Sequence, residues 1–378
     1  MQLFKLKTKI NNFDSFADFA SEFNLSAKDL IITHEFLYEP FMKALQLPCH
    51  FVMQEKYGNG EPSDEMMNKI LADVRKVDYD RVIAIGGGTV IDIAKLFVLK
   101  GVENVTDAFE RKISIEKEKA LVILPTTCGT GSEVTNISIA EIKSKHTKMG
   151  LADEALLADD AVMIPELLKG LPYKFYLYSA IDALIHAAES YVSPKANPYT
   201  RLFSKEAIQI ILNIFSEIVE KGENYRFGCL EDMLIASNYA GIAFGNAGVG
   251  AVHALSYPLG SNYHVPHGEA NYQFFTNVFR LYNKKQPARL IHELNTLLFQ
   301  NLKISKNVLY KDEFIVYELL DTLLEKLIPK NSLHAYGMKE EDIDGFTTNV
   351  IETQQRLLAN NYVPFTREEI RDIYTSLY

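Results

Sequence analysis

The stretch "RVIAIGGGTVIDIAK", Arg81 to Lys95, joins a continuous apolar run to a helical pattern through three consecutive glycines. A run such as "VIAI" with no polar alternation is what a strand covered on both faces requires. A strand that turns through Gly86, Gly87 and Gly88 into a helix presents backbone N–H groups, at the positive end of the helix dipole, to an anion. A Cβ at such a turn would block the close approach of a pyrophosphate. The glycines do not make the GxGxxG fingerprint, and a tight strand-to-helix turn without a ligand would use them as well.

Working outward from that turn, "LIIT" (30–33), "HFVM" (50–53) and "ALVIL" (120–124) read as further strands, and 36–46 reads as helical. "SDEMMNKILADVRKV" (63–77) reads as a helix with Ser63 as its N-cap and acidic residues in its first turn. Alternation of strands and helices predicts a parallel sheet covered on both faces. From about residue 172 the pattern changes to long helical periodicities without strand alternation. Turn-rich breaks fall at 193–198, 221–228 and 329–337. The expected organisation is an α/β domain of dinucleotide-binding type over 1–168 and an all-α domain over 169–378.

Composition narrows the function classes. A formal net charge of −10 with no run of Lys or Arg argues against a nucleic-acid surface. Cys49, Cys128 and Cys229 lie far apart without a CxxC, so neither a disulfide framework nor a zinc ribbon is expected, which fits a reducing compartment. The N-terminal "MQLFKLKTKI" alternates apolar and charged residues, unlike a signal peptide, and no apolar run approaches bilayer-spanning length. The expectation is a cytoplasmic protein with neither a nucleic-acid nor a membrane partner.

A second loop of chemical interest is "PTTCGTGSEVT", Pro125 to Thr135. Thr126, Thr127, Thr130 and Ser132 offer hydroxyls, and Gly129 and Gly131 allow a tight path, so the loop can wrap phosphates or a nicotinamide ribose. A Ser/Thr-rich surface turn is the plainer alternative. Two such loops after neighbouring strands fall where open α/β sheets bind ligands.

The helical half carries a different signal. "IDALIHAAESY" (181–191) reads as an amphipathic helix with Ile181, Leu184, Ile185 and Ala188 on one side. Asp182 and His186 are four apart and so neighbours, either as a surface pair or as half of a metal site. "GAVHALSYPLGSNYHVPHGEANY" (250–272) holds His253, His264 and His267, three of the nine histidines. Three imidazoles and a carboxylate suit Fe²⁺, Zn²⁺ or Ni²⁺ better than Mg²⁺ or Ca²⁺. Spacing does not say which two of the three would join Asp182 and His186. A ligating His needs an acceptor for its other nitrogen, and Glu189 and Glu269 are candidates.

Together these motifs resemble the iron-containing (group III) alcohol dehydrogenase family over nearly the whole chain. "GGGTVIDIAK" and "PTTCGTGSEVT" look like its two cofactor loops; "DALIHAAESYVS" and "HALSYPLGSNYHVPHG" look like its metal-ligand segments. The resemblance implies a dehydroquinate synthase-like architecture, with coenzyme in the α/β domain and metal and substrate in the helical one. Position by position it implies Asp182, His186, His253 and His267 as ligands, leaving His264 outside the set. The implied metal is Fe²⁺, although Zn²⁺ accepts the same ligands. The implied coenzyme is NAD, held by Gly86, Gly87, Gly88, Thr126, Thr127, Thr130, Ser132 and Lys148. A small-molecule substrate and a homo-oligomer are implied too. Within the family, "SYPLGSNYHVPHGEANY" is most similar to 4-hydroxybutyrate dehydrogenases, which implies interconversion of 4-hydroxybutyrate and succinate semialdehyde.

Two positions depart from the family pattern. Tyr257 stands where many relatives carry a His tied to proton relay, so the relay would pass to Tyr257 or His264. Ile164 stands where relatives often have an Asp. The family's cue for NAD is an Asp at the end of the first strand, hydrogen-bonded to the adenosine ribose. Here "THE" (33–35) puts His34 at that place and Glu35 beside it, an acidic group that would repel the 2′-phosphate of NADP. Other readings are a family member acting on short primary alcohols or diols, a glycerol dehydrogenase or dehydroquinate synthase, and a non-catalytic NAD(H)-binding sensor. The "DxxxH" pair with "PHG", and the intact set of four ligand candidates, speak against the last three.

Overall fold

The apolar run at 81–85 lies at the centre of a parallel sheet in the computed structural model, which describes residues 2–145, 147–303, 308, 310 and 312–378. The chain divides into two units, Leu6–Leu171 and Pro172–Tyr378, the latter with the residues up to Lys5. In the first unit the strands are β1 (Lys9–Asn12), β2 (Asp29–Thr33), β3 (His50–Met53), β4 (Arg81–Gly86), β5 (Ala120–Pro125), β6 (Ile137–Ile142), β7 (Thr147–Ala152) and β8 (Asp160–Met163). Six of them form one sheet in the order β1-β8-β5-β4-β2-β3, every neighbouring pair parallel. Ile31, Ile83 and Val122 lie side by side across β2, β4 and β5 and are all buried. That burial is why these strands carry no polar alternation.

Helices α1 (Phe16–Glu22), α2 (Glu35–Phe41), α3 (Asp64–Val74), α4 (Gly88–Phe97) and α5 (Val105–Phe109) belong to this unit. Ser63 caps α3 as expected, its side chain accepting from the Met66 N–H. The four expected strands form within a residue of their predicted ends. Missing from the sequence reading were β1 and β8, each four residues long, and the antiparallel β6/β7 pair. In β6 half-buried and buried residues alternate strictly, a period-2 signal that "ISIAEI" does carry.

In the second unit α6 (Tyr173–Val192), α7 (Pro198–Lys221), α8 (Leu230–Ala247), α9 (Ala251–Tyr263) and α10 (His267–Lys285) are followed by Leu290–Asn301, Phe314–Leu327, Asp342–Thr353 and Arg367–Leu377. No strand follows Met163 among the described residues. Helix α6 packs against α7, α8 and α10, and every residue from Ala180 to Val192 is buried. The expected amphipathic stripe is therefore corrected: this helix runs through the core, and its Asp182 and His186 are buried with the rest. Among the described residues no helix is long and apolar enough to cross a membrane.

Candidate active site

In the α/β unit the two expected loops face each other. Gly87 is the N-cap of α4, and a Cβ on Gly87 would come 3.3 Å from Thr127, one on Gly88 3.2 Å from Thr130. The glycines thus let the second loop lie directly against the first, leaving the first N–H groups of α4 without intrahelical partners, as at any helix start. Lys95, about two turns along α4 from Gly88 and fully buried, ties the loops together. Its ammonium donates to Ser132 Oγ at 2.8 Å, Thr135 Oγ1 at 3.3 Å and the Ile137 carbonyl at 2.7 Å. Ser132 in turn donates to Asp92 Oδ1 at 3.0 Å, and Asp92 Oδ2 accepts the Ile139 N–H at 3.0 Å. Burial pushes the Lys95 ammonium down to about 8 against the pull of Asp92 and Glu133.

Two other coenzyme candidates are placed differently. Lys148, on β7, pairs with Glu61. Glu35, the first residue of α2, has an exposed side chain, while its backbone N–H donates to Glu55 Oε1 at 2.6 Å. Ile164 is buried just before a short helical turn.

In the helical unit Asp182, His186, His253 and His267 converge, one ligand atom from each lying within 4.8 Å of all the others. Asp182 and His186 come from α6, His253 from the first turn of α9 and His267 from the first residue of α10. His253 Nε2 is 3.0 Å from His186 Nε2 and 3.8 Å from Asp182 Oδ1, and His267 Nε2 is 3.9 Å from the same oxygen. Burial pushes the Asp182 carboxyl up, but the imidazoles of His186, His267 and His253, with the Asn271 amide, hold it below the ordinary carboxylate value. Lone pairs from four side chains aimed at one buried point repel unless a proton or a cation lies between them. The donor set, three nitrogens and one oxygen, fits a divalent transition metal.

The surroundings fix each imidazole. Glu189, one turn beyond His186, places Oε2 2.6 Å from His253 Nδ1, and its Oε1 accepts the Val252 N–H at 2.7 Å. His186 stacks on Phe244 of α8, ring centroids 4.3 Å apart. Asn271 donates to Asp182 Oδ1 at 2.7 Å, lies 3.1 Å from His267 Nε2 and accepts from Ser256. Gly268 lets α10 approach α6: a Cβ there would sit 2.4 Å from the Tyr178 carbonyl oxygen. Of the two expected acceptors, Glu189 is on an imidazole. Glu269 instead accepts from Tyr178 and Tyr336, each at 3.1 Å. Phe244 and Asn271 escaped the sequence reading because neither residue type signals a metal site; Asn271, four residues after His267 on α10, had a spacing cue, whereas Phe244 on α8 had none.

Of the remaining candidates, Tyr257 lies one turn after His253 with its ring 6.0 Å from that of His267. His264 is exposed and adopts a left-handed conformation, φ 53°, as the C-cap of α9. It turns the chain from one ligand-bearing helix to the next and is not among the four converging groups.

The family model for iron-containing alcohol dehydrogenase matches residues 7–165, and that for the C-terminal part of the Fe-containing alcohol dehydrogenase family matches residues 176–378. A 4-hydroxybutyrate dehydrogenase from Clostridium kluyveri is 54% identical over 378 residues, covering 100% of both chains. The chain belongs to the iron-containing alcohol dehydrogenase family. Another family relative, a long-chain-alcohol dehydrogenase from Geobacillus thermodenitrificans, is 34% identical over 84% of this chain and 80% of its own. Among solved structures, a 1,3-propanediol oxidoreductase has a TM-score of 0.83 at 23% identity, covering 100% of both chains. A sulfoacetaldehyde reductase from Bifidobacterium kashiwanohense, solved with NAD+, has a TM-score of 0.82 at 21% identity, covering 100% of this chain and 99% of that one. At these identities the solved structures speak for the fold.

Proposed function

We propose that the chain is a metal-dependent, NAD(H)-linked oxidoreductase that interconverts 4-hydroxybutyrate and succinate semialdehyde. The observation that carries the substrate is the full-length likeness to the clostridial 4-hydroxybutyrate dehydrogenase. The convergence of Asp182, His186, His253 and His267 supports a divalent metal, Fe²⁺ first and Zn²⁺ second. When bound, the metal supplies Lewis acidity toward the substrate's carbonyl or alcohol oxygen, and NAD(H) supplies or accepts the hydride.

The chain's own residues prepare for that chemistry. Glu189, by accepting from His253 Nδ1, keeps the Nε2 lone pair turned toward the ligand point. Burial of Asp182, His186 and His253 excludes water and strengthens every charge interaction there. Gly86, Gly87 and Gly88 with Thr126, Thr127 and Thr130 offer N–H and hydroxyl donors to the coenzyme's phosphates and ribose; Ser132, its hydroxyl engaged by Asp92 and Lys95, holds the second loop in place, and Lys148 is a further candidate. Tyr257, beside His267, is the group we assign to hold the proton of the substrate hydroxyl, with His264 as a candidate for the substrate carboxylate. A cytoplasmic, homo-oligomeric enzyme completes the reading, on three cysteines that form no disulfide and on the family resemblance.

The test is NADH oxidation by anaerobically prepared, Fe²⁺-loaded protein with succinate semialdehyde and butanal at equal concentration. A clear preference for the semialdehyde is expected. Equal rates, or a preference for butanal, would leave a metal-dependent alcohol dehydrogenase of another substrate class.

A further inference from the structure

Coenzyme choice turns on what stands beyond the carboxyl end of β2. In doubly wound sheets an acidic side chain past that strand hydrogen-bonds the adenosine ribose, and a carboxylate there is incompatible with a 2′-phosphate. Here β2 is the neighbour of β4, the strand that feeds the glycine turn. The residue directly after β2 is His34, which carries no negative charge, and the carboxylate of Glu35 is exposed on α2.

A different carboxylate occupies the position. Glu55 follows the edge strand β3, two residues beyond Met53, and Met53 pairs with Thr33 at the end of β2. Its Oε2 lies 3.1 Å from His34 Nδ1, and its Oε1 accepts the Glu35 N–H at 2.6 Å. The side chain keeps 32% of its surface exposed, so it is anchored but still open to a ligand. His34 is itself stacked on Phe36, ring centroids 5.0 Å apart. We propose that Glu55, delivered from β3 and held by His34 and the Glu35 backbone, selects NAD over NADP: its carboxylate accepts the 2′-hydroxyl of the adenosine ribose and repels a 2′-phosphate. Burial pushes the Glu55 carboxyl up, but the Glu35 N–H, its own N–H and His34 together hold it below the ordinary value, so it is ionised at neutral pH. The assignment rests on the reading of the chain as an NAD(H)-dependent enzyme. It moves the discriminating charge from Glu35, the residue adjacent in sequence, to one twenty positions away.

The test is binding of NADH and NADPH to the full-length protein, followed by the fluorescence of the reduced nicotinamide, for the wild type, Glu55→Gln and Glu35→Gln. Wild type is expected to favour NADH. Removing one charged acceptor should move the ratio of the two dissociation constants toward NADPH by about 10–100-fold in Glu55→Gln. Glu55→Asp, which keeps the charge and withdraws it by one methylene, should fall between the two and guards against a Gln variant that folds poorly. An unchanged ratio in Glu55→Gln, or a shift in Glu35→Gln alone, would overturn the assignment. Because binding is read without substrate, failure to reduce succinate semialdehyde would sink the substrate reading and not this one.

Discussion

Glu189 on α6 and His253 on α9 are joined by a 2.6 Å contact between Oε2 and Nδ1, while the opposite nitrogen of His253 points at His186 from 3.0 Å. The carboxylate therefore fixes the ring's orientation and its tautomer together, as outer partners of metal-binding histidines do. It also holds the start of α9 through the Val252 N–H. One buried acid thus sets both where the helix begins and which lone pair faces the site.

Glu189→Gln keeps the shape and removes the charge. Metal affinity, read by chelator competition on the purified protein, should fall about 10–100-fold, the usual effect of losing such a partner. Circular dichroism should remain that of the wild type. Unchanged metal retention would show that the Glu189–His253 contact is merely structural.

Metal loading should raise the melting temperature. Four converging groups, three of them buried, bind a cation only in the folded chain. Free metal at a hundredfold over its dissociation constant then stabilises the fold by about 2.7 kcal/mol. Asp182→Ala should erase the difference between metal-loaded and chelator-treated samples in a calorimetric scan. A full metal-dependent shift in that variant would mean that the ion binds elsewhere.

Gly268→Ala probes the approach of α10 to α6. The added methyl would lie 2.4 Å from the Tyr178 carbonyl oxygen and 3.3 Å from Asp182 Cβ, so the backbone must shift. Overpacking of this kind costs about 1–3 kcal/mol. The shift also carries His267 away from Asp182, so metal content should fall along with the denaturation midpoint. Loss of stability with full metal content would separate packing from ligand placement.

The substrate end is tested by His264→Ala. His264 is exposed at the turn between the two ligand-bearing helices, so its removal should disturb the core little. If it receives the substrate carboxylate, kcat/KM for succinate semialdehyde should drop about tenfold relative to that for butanal, the loss of one hydrogen bond to a charged group. An unchanged ratio would remove His264 from that role.

Much of this arrangement is legible in the sequence. The strand at 81–85 and the glycines after it are written as an unbroken apolar run and its punctuation, because both faces of the strand are covered. The metal cluster is less direct. Spacing puts Asp182 beside His186, but choosing His253 and His267 over His264 needed the family resemblance, since pairing across helices is not a local property. What stayed hidden is mostly polar and distant in sequence. Glu55 meets His34 only because β3 pairs with β2, and Asn271 reads as any helical amide until α10 meets α6. The amphipathic reading of 181–191 failed for a related reason: a helix packed on several sides buries its polar residues too.

Lys95 provides the pH prediction. The side chain is fully buried, and burial lowers its ammonium from 10.5 to about 8 in the fold. Between those values the unfolded chain holds a proton that the folded chain has lost, so raising the pH favours folding. The lysine's contribution is least favourable below pH 8 and improves as pH rises toward 10.5. From pH 8 to 9.5 the linkage relation gives a gain of about 1.5 kcal/mol. In Lys95→Met that gain should vanish, which is read by comparing urea denaturation of variant and wild type at both pH values. The variant also loses the donors to Ser132, Thr135 and Ile137, so its affinity for NADH should weaken at every pH. Equal pH responses in the two proteins would mean that Lys95 stays protonated in its network throughout the range.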